Sequence, residues 1–441
     1  MSNKHLPTDS YKGVRDFYPE DMAIQRYIFD TWAKTAEKFG FERYDASILE
    51  PADLYKAKGA ENAELVNEQT YTFTDRGERE VTLRPEMTPT VARMVAAKHR
   101  ELSFPLRWYS IPNLFRYENT QKGRLREHWQ LNCDIFGATD YTADIEIIAL
   151  AYQTLIDFGA TPDMFEIQIN DRKLMNRLYT ALGVKEAMIP AITRLNDRRE
   201  KIDPQAYRTE LKEIVGGDGL MVEKIIMMLD NSDEQTDVVV GLAELGISNV
   251  VFNKSLARGF DYYTGTIFEI KDTSGENKRS LLGGGRYDNL TSLFTDEIVS
   301  GIGFGMGDVT MRDFLKTHSL LNTRYKLFKN YIDLVIIPAE KEYNLCSQKI
   351  AQEFRSNGIN CYVDISSKKQ NKKEQAAIKL SESINSFFSD KKVASFIVVD
   401  KTTSKTKKFI VGGKKLSISS LSKKISKNRK DSQKYLNFLN K

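Results

Sequence analysis

Residues 127–136 read Glu127-His128-Trp129-Gln130-Leu131-Asn132-Cys133-Asp134-Ile135-Phe136, and polar and apolar side chains alternate from His128 to Ile135. A period of two residues predicts a β-strand, because successive side chains point to opposite faces of a sheet. His128, Gln130, Asn132 and Asp134 would share one face, where they could line a pocket for a small polar ligand. On this pattern alone the plainer alternative is favoured, namely an antiparallel strand with one face in water.

A basic hairpin is predicted immediately before that strand. Residues 105–118 read as a strand, and residues 119–125 read as a loop. Arg116 on the strand, with Arg124 and Arg126 near the loop, could hold phosphate groups, because a guanidinium offers two parallel charged hydrogen bonds. Charge alone favours the alternative, an exposed hairpin that binds nothing.

Two glycine clusters follow, at residues 283–288 and 301–308. The second superficially resembles a dinucleotide-binding loop, but no βαβ pattern surrounds it, so that function is not indicated. Alternating glycines instead indicate a strand that another backbone or a flat ligand approaches closely. Before both clusters, the segment Leu256–Gly265 places Arg258 beside acidic and aromatic residues, and a lone arginine–acid pair of this kind is more often structural.

The chain divides by pattern into a core and two added parts. Residues 1–171 and 250–320 are rich in strand patterns and would form one core, whereas residues 172–249 show only helical periodicity and predict an all-α insertion. After a polar linker, residues 331–441 alternate strands and helices, as in a small α/β domain. The Lys/Ser-rich stretch 404–430 is predicted to be partly mobile.

Charge is distributed unevenly along the chain. The net charge is +5, yet residues 331–441 contain 23 Lys and Arg against 10 Asp and Glu, a net of +13. The preceding residues carry 42 basic and 50 acidic side chains, a net of −8. A basic module on an acidic body suggests a polyanionic partner at one end, and a solubilising lysine-rich surface is an equal alternative.

Composition excludes several classes of protein. No apolar run approaches eighteen residues, so the sequence predicts no membrane span. Residues 1–10 are polar and lack the apolar core of a signal peptide, so a cytoplasmic protein is expected. Cys133, Cys346 and Cys361 are scattered, which fits neither a disulfide framework nor a zinc site, and no permanent metal is predicted.

Taken in order, five segments resemble those of the histidyl-tRNA synthetase family, which belongs to the class II synthetases. The segments are Gly13–Pro19, Thr82–Thr88, Phe115–Gly137, Leu256–Tyr263 and Gly284–Asp288. The third looks like the family's form of class II motif 2, and the fourth resembles a signature found in histidine enzymes and their close paralogues. Five ordered matches over nearly the whole chain are far more specific than any one of them.

The resemblance implies an α+β fold. It consists of an antiparallel class II sheet of six or seven strands flanked by helices, an all-α insertion, and a C-terminal α/β anticodon-binding-like domain. It also implies that the protein forms histidyl-adenylate from histidine and ATP, with Mg²⁺ carried by the ATP, and transfers histidine to the 3′ end of tRNA(His). A homodimer is implied as well.

The resemblance further implies roles for individual residues. Arg116 and Arg258 would be catalytic, because both would lie at the α-phosphate of ATP. The side chains that bind histidine would be Glu86, Gln130, Asp134, Tyr263 and Tyr287. The ATP-binding set would be Arg116, Glu118, Arg258 and Arg312, and Gln121 and Arg124 would approach the acceptor end of the tRNA.

Three departures from the family pattern bear on the site. Motif 3 usually ends Gly-Leu-Glu-Arg, whereas residues 307–310 read Gly-Asp-Val-Thr, so Thr310 replaces the arginine expected against adenine. Arg312, two residues further on, is the candidate substitute. The motif 1 proline falls at about Ser47. The C-terminal domain departs from the family after Asp364, so base-specific anticodon contacts do not carry over.

The alternative function is a non-catalytic regulatory subunit of ATP phosphoribosyltransferase, because bacteria use a paralogue of this fold in that role. Such subunits lack the anticodon domain and usually lose catalytic arginines. This chain keeps Arg116, Arg258 and a basic C-terminal domain. Only the change in motif 3 points towards the regulatory subunit.

Overall fold

A computed structural model describes residues 5–56, 69–199, 202–231, 236–257, 262–321, 332–385, 396–411 and 414–427. The chain forms two compact units, Met1–Phe328 and Lys329–Lys441. None of the described helices is both long enough and apolar enough to cross a membrane.

The first unit contains most of the secondary structure. Its helices are α1 Pro19–Lys38, α2 Asp53–Lys56, α3 Thr88–Lys98, α4 Thr142–Asp157, α5 Arg172–Ala181, α6 Ile189–Asp197, α7 Pro204–Ile214, α8 Gly219–Asp230, α9 Asp237–Glu244 and α10 Asp308–Thr317. Its strands are β1 Glu42–Arg43, β2 Leu49–Pro51, β3 Tyr71–Thr74, β4 Glu80–Leu83, β5 Leu106–Ser110, β6 Asn113–Phe115, β7 Glu127–Phe136, β8 Phe165–Asp171, β9 Val250–Phe252, β10 Thr266–Asp272, β11 Leu282–Arg286 and β12 Gly301–Gly307.

A nine-stranded sheet is the centre of this unit, with the order β1-β5-β7-β12-β11-β10-β8-β9 and β6 paired to part of β7. Pairing is antiparallel from β5 to β8 and between β6 and β7. The predicted antiparallel sheet flanked by helices is therefore confirmed. The added strands β1 and β9 pair in parallel at the two edges, and with two and three residues they are too short to show a period in the sequence.

Strand β7 lies in the interior of this sheet, between β5 and β12. On its apolar face Leu131, Cys133 and Ile135 are fully buried in the main core, together with Trp32 of α1. Fully burying one side chain of this kind stabilises the fold by about 1.5–3 kcal/mol. The polar face is also covered, because Asn132 is 5% exposed and Asp134 is 3% exposed. A strand with one wet face is thus the wrong interpretation for this half of β7.

The helices between β8 and β9 belong to two different cores. Helices α5 to α8 pack around a separate apolar cluster that includes Tyr179, Leu195 and Ile225. In contrast, Val238 and Leu242 of α9 are buried in the main core, where α9 contacts α4. Helical periodicity is the same in all five segments, so the sequence does not distinguish these two environments.

The second unit is a small parallel sheet covered on both faces. Its elements are β13 Leu334–Pro338, α11 Asn344–Ser356, β14 Cys361–Val363, α12 Gln370–Asn385, β15 Phe396–Val399, α13 Lys401–Thr406, β16 Lys408–Val411 and β17 Lys414–Ser417. The sheet order is β14-β13-β15, with both pairs parallel. Leu334 and Ile336 pack with α11, whereas Val335 and Ile337 pack with Ala377 of α12.

The Lys/Ser-rich stretch at 404–430, predicted to be partly mobile, contains regular secondary structure within its described residues, 404–411 and 414–427. Strands β16 and β17 form an antiparallel hairpin within it. Phe409, Leu421 and Ile425 are buried in the same core as α11. Buried apolar side chains thus hold this segment against the core of the second unit, although the surrounding lysines lower its mean hydropathy.

Candidate active site

One cavity of about 610 Å³ lies beside β7 in the first unit. Its walls come from the hairpin before β7, from β7 itself, from the segment that precedes β11, and from the end of β12. The charged and polar side chains on these walls include Arg116, Glu118, Arg124, His128, Gln130 and Arg279. Three arginines on one concave surface suit a ligand with several negative charges. We call this space the basic cavity.

Arg116 is oriented by the backbone. Its Nε donates to the carbonyl oxygen of Pro85 at 2.8 Å, and among the described residues it forms no ion pair. Glu118, which is 6% exposed, pairs instead with Arg124. Arg116 therefore presents a positive charge that a phosphate oxygen could balance. Arg258, predicted to share its catalytic role, lies outside the described residues.

His128 contributes a neutral ring to the cavity wall. Burial, with the charges of Arg116, Arg15 and Arg124, lowers the pKa of His128 to about 3. The imidazole is therefore uncharged at neutral pH, with one nitrogen able to donate and the other able to accept. The alternation along β7 predicts His128 on a polar face that could line a pocket, and His128 does line the basic cavity.

A second group of side chains surrounds Tyr262, and we call it the tyrosine cluster. The hydroxyl of Tyr262 donates to Glu86 Oε2 at 3.2 Å. The ring centroid of Tyr262 lies 4.9 Å from that of Tyr263 and 6.0 Å from that of Tyr287. The hydroxyl of Tyr287 donates to Asp134 Oδ1. The structure thus brings together four of the five side chains predicted to bind histidine, and Tyr262, which had no predicted role, lies among them.

Asp134 has an unusual acidity. Burial raises its pKa to about 7, although the hydrogen bond from Tyr287 opposes the rise. Burial also raises the pKa of Tyr287, so this hydroxyl stays protonated and donates. A ligand that offers an N–H donor would favour the ionised form of Asp134. A buried carboxyl group that titrates near neutral pH is a candidate for a functional site.

The glycines of β12 make room for side chains of β7. A Cβ added at Gly303 would lie 2.1 Å from Asp134 Oδ1, and one added at Gly305 would lie 2.6 Å from Gln130 Cδ and Nε2. The close approach of a neighbouring backbone indicated by the alternating glycines is present, because the Cys133 carbonyl oxygen lies 2.6 Å from the same point at Gly303, and side chains of β7 approach there as well. Gln130 also lines the basic cavity. It therefore links that cavity to Asp134 along one face of β7.

The turn at residues 121–124 separates the two side chains predicted to approach tRNA. The backbone N–H of Gln121 donates to the carbonyl of Arg124 at 3.2 Å, and the reverse bond is 2.9 Å. Arg124 lines the basic cavity. Gln121 is exposed and does not line it. Lys122 donates from Nζ to the carbonyl of Glu276 at 3.0 Å, which holds the turn against the segment before β11.

Arg312 lies away from the basic cavity, contrary to the expectation that it would replace the motif 3 arginine. Its Nη2 is 2.6 Å from Asp21 Oδ1 in α1, whereas Thr310 lines the cavity. Residues two positions apart on an α-helix are rotated by about 200° from each other. Arg312 therefore faces α1 when Thr310 faces the cavity.

Asp308, the second residue of the altered motif 3 at 307–310, has a structural role that the neighbouring sequence does not predict. Its carboxylate is fully buried and accepts from Arg15 Nη2 at 2.7 Å and from Gln25 Nε2 at 2.9 Å. It also accepts from the backbone N–H of Trp129 at 2.9 Å. These bonds connect the N-terminal segment, α1 and the start of β7 to the first residue of α10.

Comparison with known proteins gives a consistent result. The family model described as histidyl-tRNA synthetase matches residues 13–308. A histidine–tRNA ligase of Leptospira biflexa is 43% identical over 389 residues, which cover 84% of this chain and 88% of that protein. A histidine–tRNA ligase of Thermoplasma volcanium is 40% identical over 334 residues, which cover 71% of this chain and 76% of that protein.

Among solved structures, a histidyl-tRNA synthetase from Nostoc sp. PCC 7120 matches with a TM-score of 0.71, covering 96% of this chain and 100% of that one. Its sequence identity is 20%, so this likeness concerns the fold alone. The residues matched by the family model include β7, the glycine-rich strands and the tyrosine cluster, and each of the two relatives covers more than two thirds of the chain. The chain belongs to the histidyl-tRNA synthetase family.

Proposed function

We propose that this protein is a histidine–tRNA ligase, which forms histidyl-adenylate from histidine and ATP and transfers histidine to the 3′ end of tRNA(His). One observation supports this function most directly. A cavity rich in arginine and a buried cluster of tyrosines and carboxylates share the polar face of β7, with Gln130 on that face between His128 and Asp134. A nucleotide and a small amino acid with an N–H donor fit these two environments.

In the proposed first step, a carboxylate oxygen of histidine attacks the α-phosphorus of ATP. The bond from that phosphorus to the bridging oxygen breaks, and pyrophosphate leaves. Such a transfer depends on positioning and on charge neutralisation. Arg116 would hold an α-phosphate oxygen, since the Pro85 carbonyl fixes its Nε and the residue lines the cavity. Arg258 would supply a second positive charge there.

Mg²⁺ bound to the triphosphate would neutralise part of its charge. The carboxylates of Glu118 and Glu269 lie on the cavity wall. Oxygen ligands are those that Mg²⁺ prefers, and it commonly combines one or two carboxylates with substrate phosphates. These residues therefore fit an ion that arrives with ATP, and Glu118 also keeps Arg124 directed along the wall.

The tyrosine cluster would select histidine. The ionised carboxylate of Asp134 would accept an imidazole N–H, and an amino acid without such a donor would leave this buried charge without that hydrogen bond. Gln130 and Glu86 would bind the remaining polar groups of histidine. Tyr263 and Tyr287 would enclose the ring, since Tyr287 is 2% exposed and Tyr263 is 7% exposed.

In the second step, a ribose hydroxyl of the terminal adenosine of the tRNA attacks the adenylate carbonyl, and AMP leaves. Arg124 and the exposed Gln121 would approach this end of the tRNA. The C-terminal unit would bind the tRNA elsewhere, because residues 331–441 carry a net charge of +13 and phosphate contacts dominate such binding. We also propose a homodimer that works in the cytoplasm, as the family resemblance implies.

The test is ATP–pyrophosphate exchange across a panel of amino acids. We expect exchange with histidine and none with the other natural amino acids, because only histidine offers Asp134 an imidazole N–H. Exchange that is equal for a second amino acid would contradict the assignment of substrate. Histidine binding without any exchange would instead favour a regulatory subunit, the alternative that the change at Thr310 raises.

A further inference from the structure

Arg279 is an arginine of the basic cavity to which the reaction above gives no role. It lies between β10 and β11, where the chain enters the glycine-rich strand, and its side chain is half-buried. It lines the cavity together with Arg116 and Arg124. Within the described ranges no carboxylate pairs with Arg279, whereas Arg124 pairs with Glu118.

The side chain of Arg279 packs against the turn that contains Gly123. A Cβ placed at Gly123 would lie 3.2 Å from Arg279 Cδ and 3.6 Å from Thr310 Cγ2. The stem of Arg279 and the side chain of Thr310 therefore flank the same point of the turn. Gly123 has a φ of 76°, which glycine adopts without strain, and its missing side chain leaves room for the arginine.

Thr310 supplies no charge to this space. Its hydroxyl lies 3.2 Å from the carbonyl oxygens of Leu281 and Gly307, so it is occupied by the backbone. Arg312 is paired with Asp21 on the other side of α10. Arg279 thus brings a positively charged side chain to the neighbourhood of position 310 from the segment between β10 and β11.

The charges around Arg279 favour an anionic ligand. Burial and the charge of Arg124 lower the pKa of Arg279, while Glu118 opposes this shift. A bridging anion relieves the repulsion between two guanidinium groups, and phosphate oxygens accept their N–H donors in a bidentate geometry. An uncharged purine ring would leave that repulsion in place.

We propose that Arg279 binds the outer two phosphates of ATP, the pair that leaves as pyrophosphate, and so provides the positive charge that Thr310 does not. Arg116 would hold the α-phosphate, and Arg279 would lie further along the triphosphate, beside Arg124. The inference rests on the proposed function for the reaction, but the contact itself can be measured without turnover.

The test compares Arg279→Ala with the wild-type chain in histidine-dependent ATP–pyrophosphate exchange, which gives separate KM values for three ligands. We expect the KM values of ATP and pyrophosphate to rise roughly 10- to 100-fold, the loss typical of a charged hydrogen bond. The KM of histidine should stay at its wild-type value. Arg279→Lys should recover part of the loss, because a point charge still attracts phosphate. Arg177→Ala, at an exposed arginine of α5, is the matched control and should change none of the three.

Unchanged KM values for ATP and pyrophosphate in Arg279→Ala would overturn the proposal, and so would a rise of the same size for histidine. Calorimetry with ATP and with adenosine distinguishes phosphate from purine. Weaker binding of ATP alone supports a phosphate contact, whereas an equal loss for adenosine contradicts it. If ATP binds the wild-type chain more tightly than Arg279→Ala and yet the wild type shows no exchange, the proposed function would be contradicted. The contact between Arg279 and ATP would still be supported.

Discussion

Replacing Asp134 by asparagine is expected to remove a pH dependence from histidine binding. Asp134 is buried, and its pKa is raised to about 7. If only the ionised carboxylate accepts the imidazole N–H, its contribution to affinity should rise with pH through about 7 and level off near pH 8. The amide introduced by Asp134→Asn does not titrate, and its oxygen can still accept from Tyr287, so this variant should keep the local structure.

The size of the effect follows from the pKa. At pH 6, one unit below a pKa of about 7, roughly one tenth of the Asp134 groups are ionised. The Kd of histidine should therefore be about tenfold higher at pH 6 than at pH 8, a difference of about 1.4 kcal/mol. Histidine itself titrates in this range, but the ratio of the two Kd values, wild type to Asp134→Asn, cancels that contribution.

Calorimetric titration with histidine between pH 5.5 and 8.5 measures this ratio. We expect it to fall as pH rises and to become nearly constant above about pH 8, one unit above the pKa. A ratio that is constant over the whole range would contradict this role of Asp134, because the affinity for histidine would then not depend on ionisation of its carboxyl group.

Protein stability provides an independent check on the same pKa. The folded state raises the pKa of Asp134 from 3.8 to about 7, so the folded protein binds more protons than the unfolded chain between these values. Stability is therefore greatest below pH 4 for this group and is lost as pH rises through 7. Relative to Asp134→Asn, the wild type should lose up to about 4 kcal/mol across that window in urea denaturation. A difference that does not change with pH would contradict the raised pKa.

Three further results are expected. Asp308→Asn should lower the free energy of unfolding by about 3–5 kcal/mol in urea denaturation, because the three groups that donate to Asp308 would no longer face a buried negative charge. The same change at the exposed Asp296 should have little effect. Arg312→Ala should leave the KM of ATP unchanged and lower the free energy of unfolding by at most about 1 kcal/mol, the value of a partly exposed ion pair. A tenfold rise in that KM would instead support Arg312 as the substitute for the motif 3 arginine. Replacing the exposed Lys423 and Lys424 by Glu should weaken tRNA binding and reduce its salt dependence without changing exchange, and full affinity in this variant would remove that surface from the tRNA site.

The central strand shows what the sequence predicts well. Alternation along β7 placed His128, Gln130 and Asp134 on one face, and the motifs around it indicated the family. The same alternation did not reveal that the polar face is buried, because burial depends on β5, β12 and the elements packed above them. That burial is what raises the pKa of Asp134.

The residues that the sequence did not reveal are held by contacts between distant parts of the chain. Asp308 accepts from Arg15 and Gln25, nearly three hundred residues earlier. Arg279 and Thr310 flank the same point of the turn at Gly123, and the two residues lie next to the paired strands β11 and β12. Proximity along the chain predicts that Arg312 replaces the motif 3 arginine, yet helix geometry turns it away from the cavity and towards Asp21.

The most direct test of the account is aminoacylation of tRNA(His) by the full-length chain, with ATP, Mg²⁺ and labelled histidine. We expect the wild type to attach histidine to the 3′ end of the tRNA. Arg116→Ala should lower the rate of adenylate formation by roughly 10²–10³-fold, because it removes one preorganised charge at the α-phosphate. A wild-type chain that binds histidine and tRNA but transfers no histidine would contradict the central claim, and full activity in Arg116→Ala would contradict the proposed site.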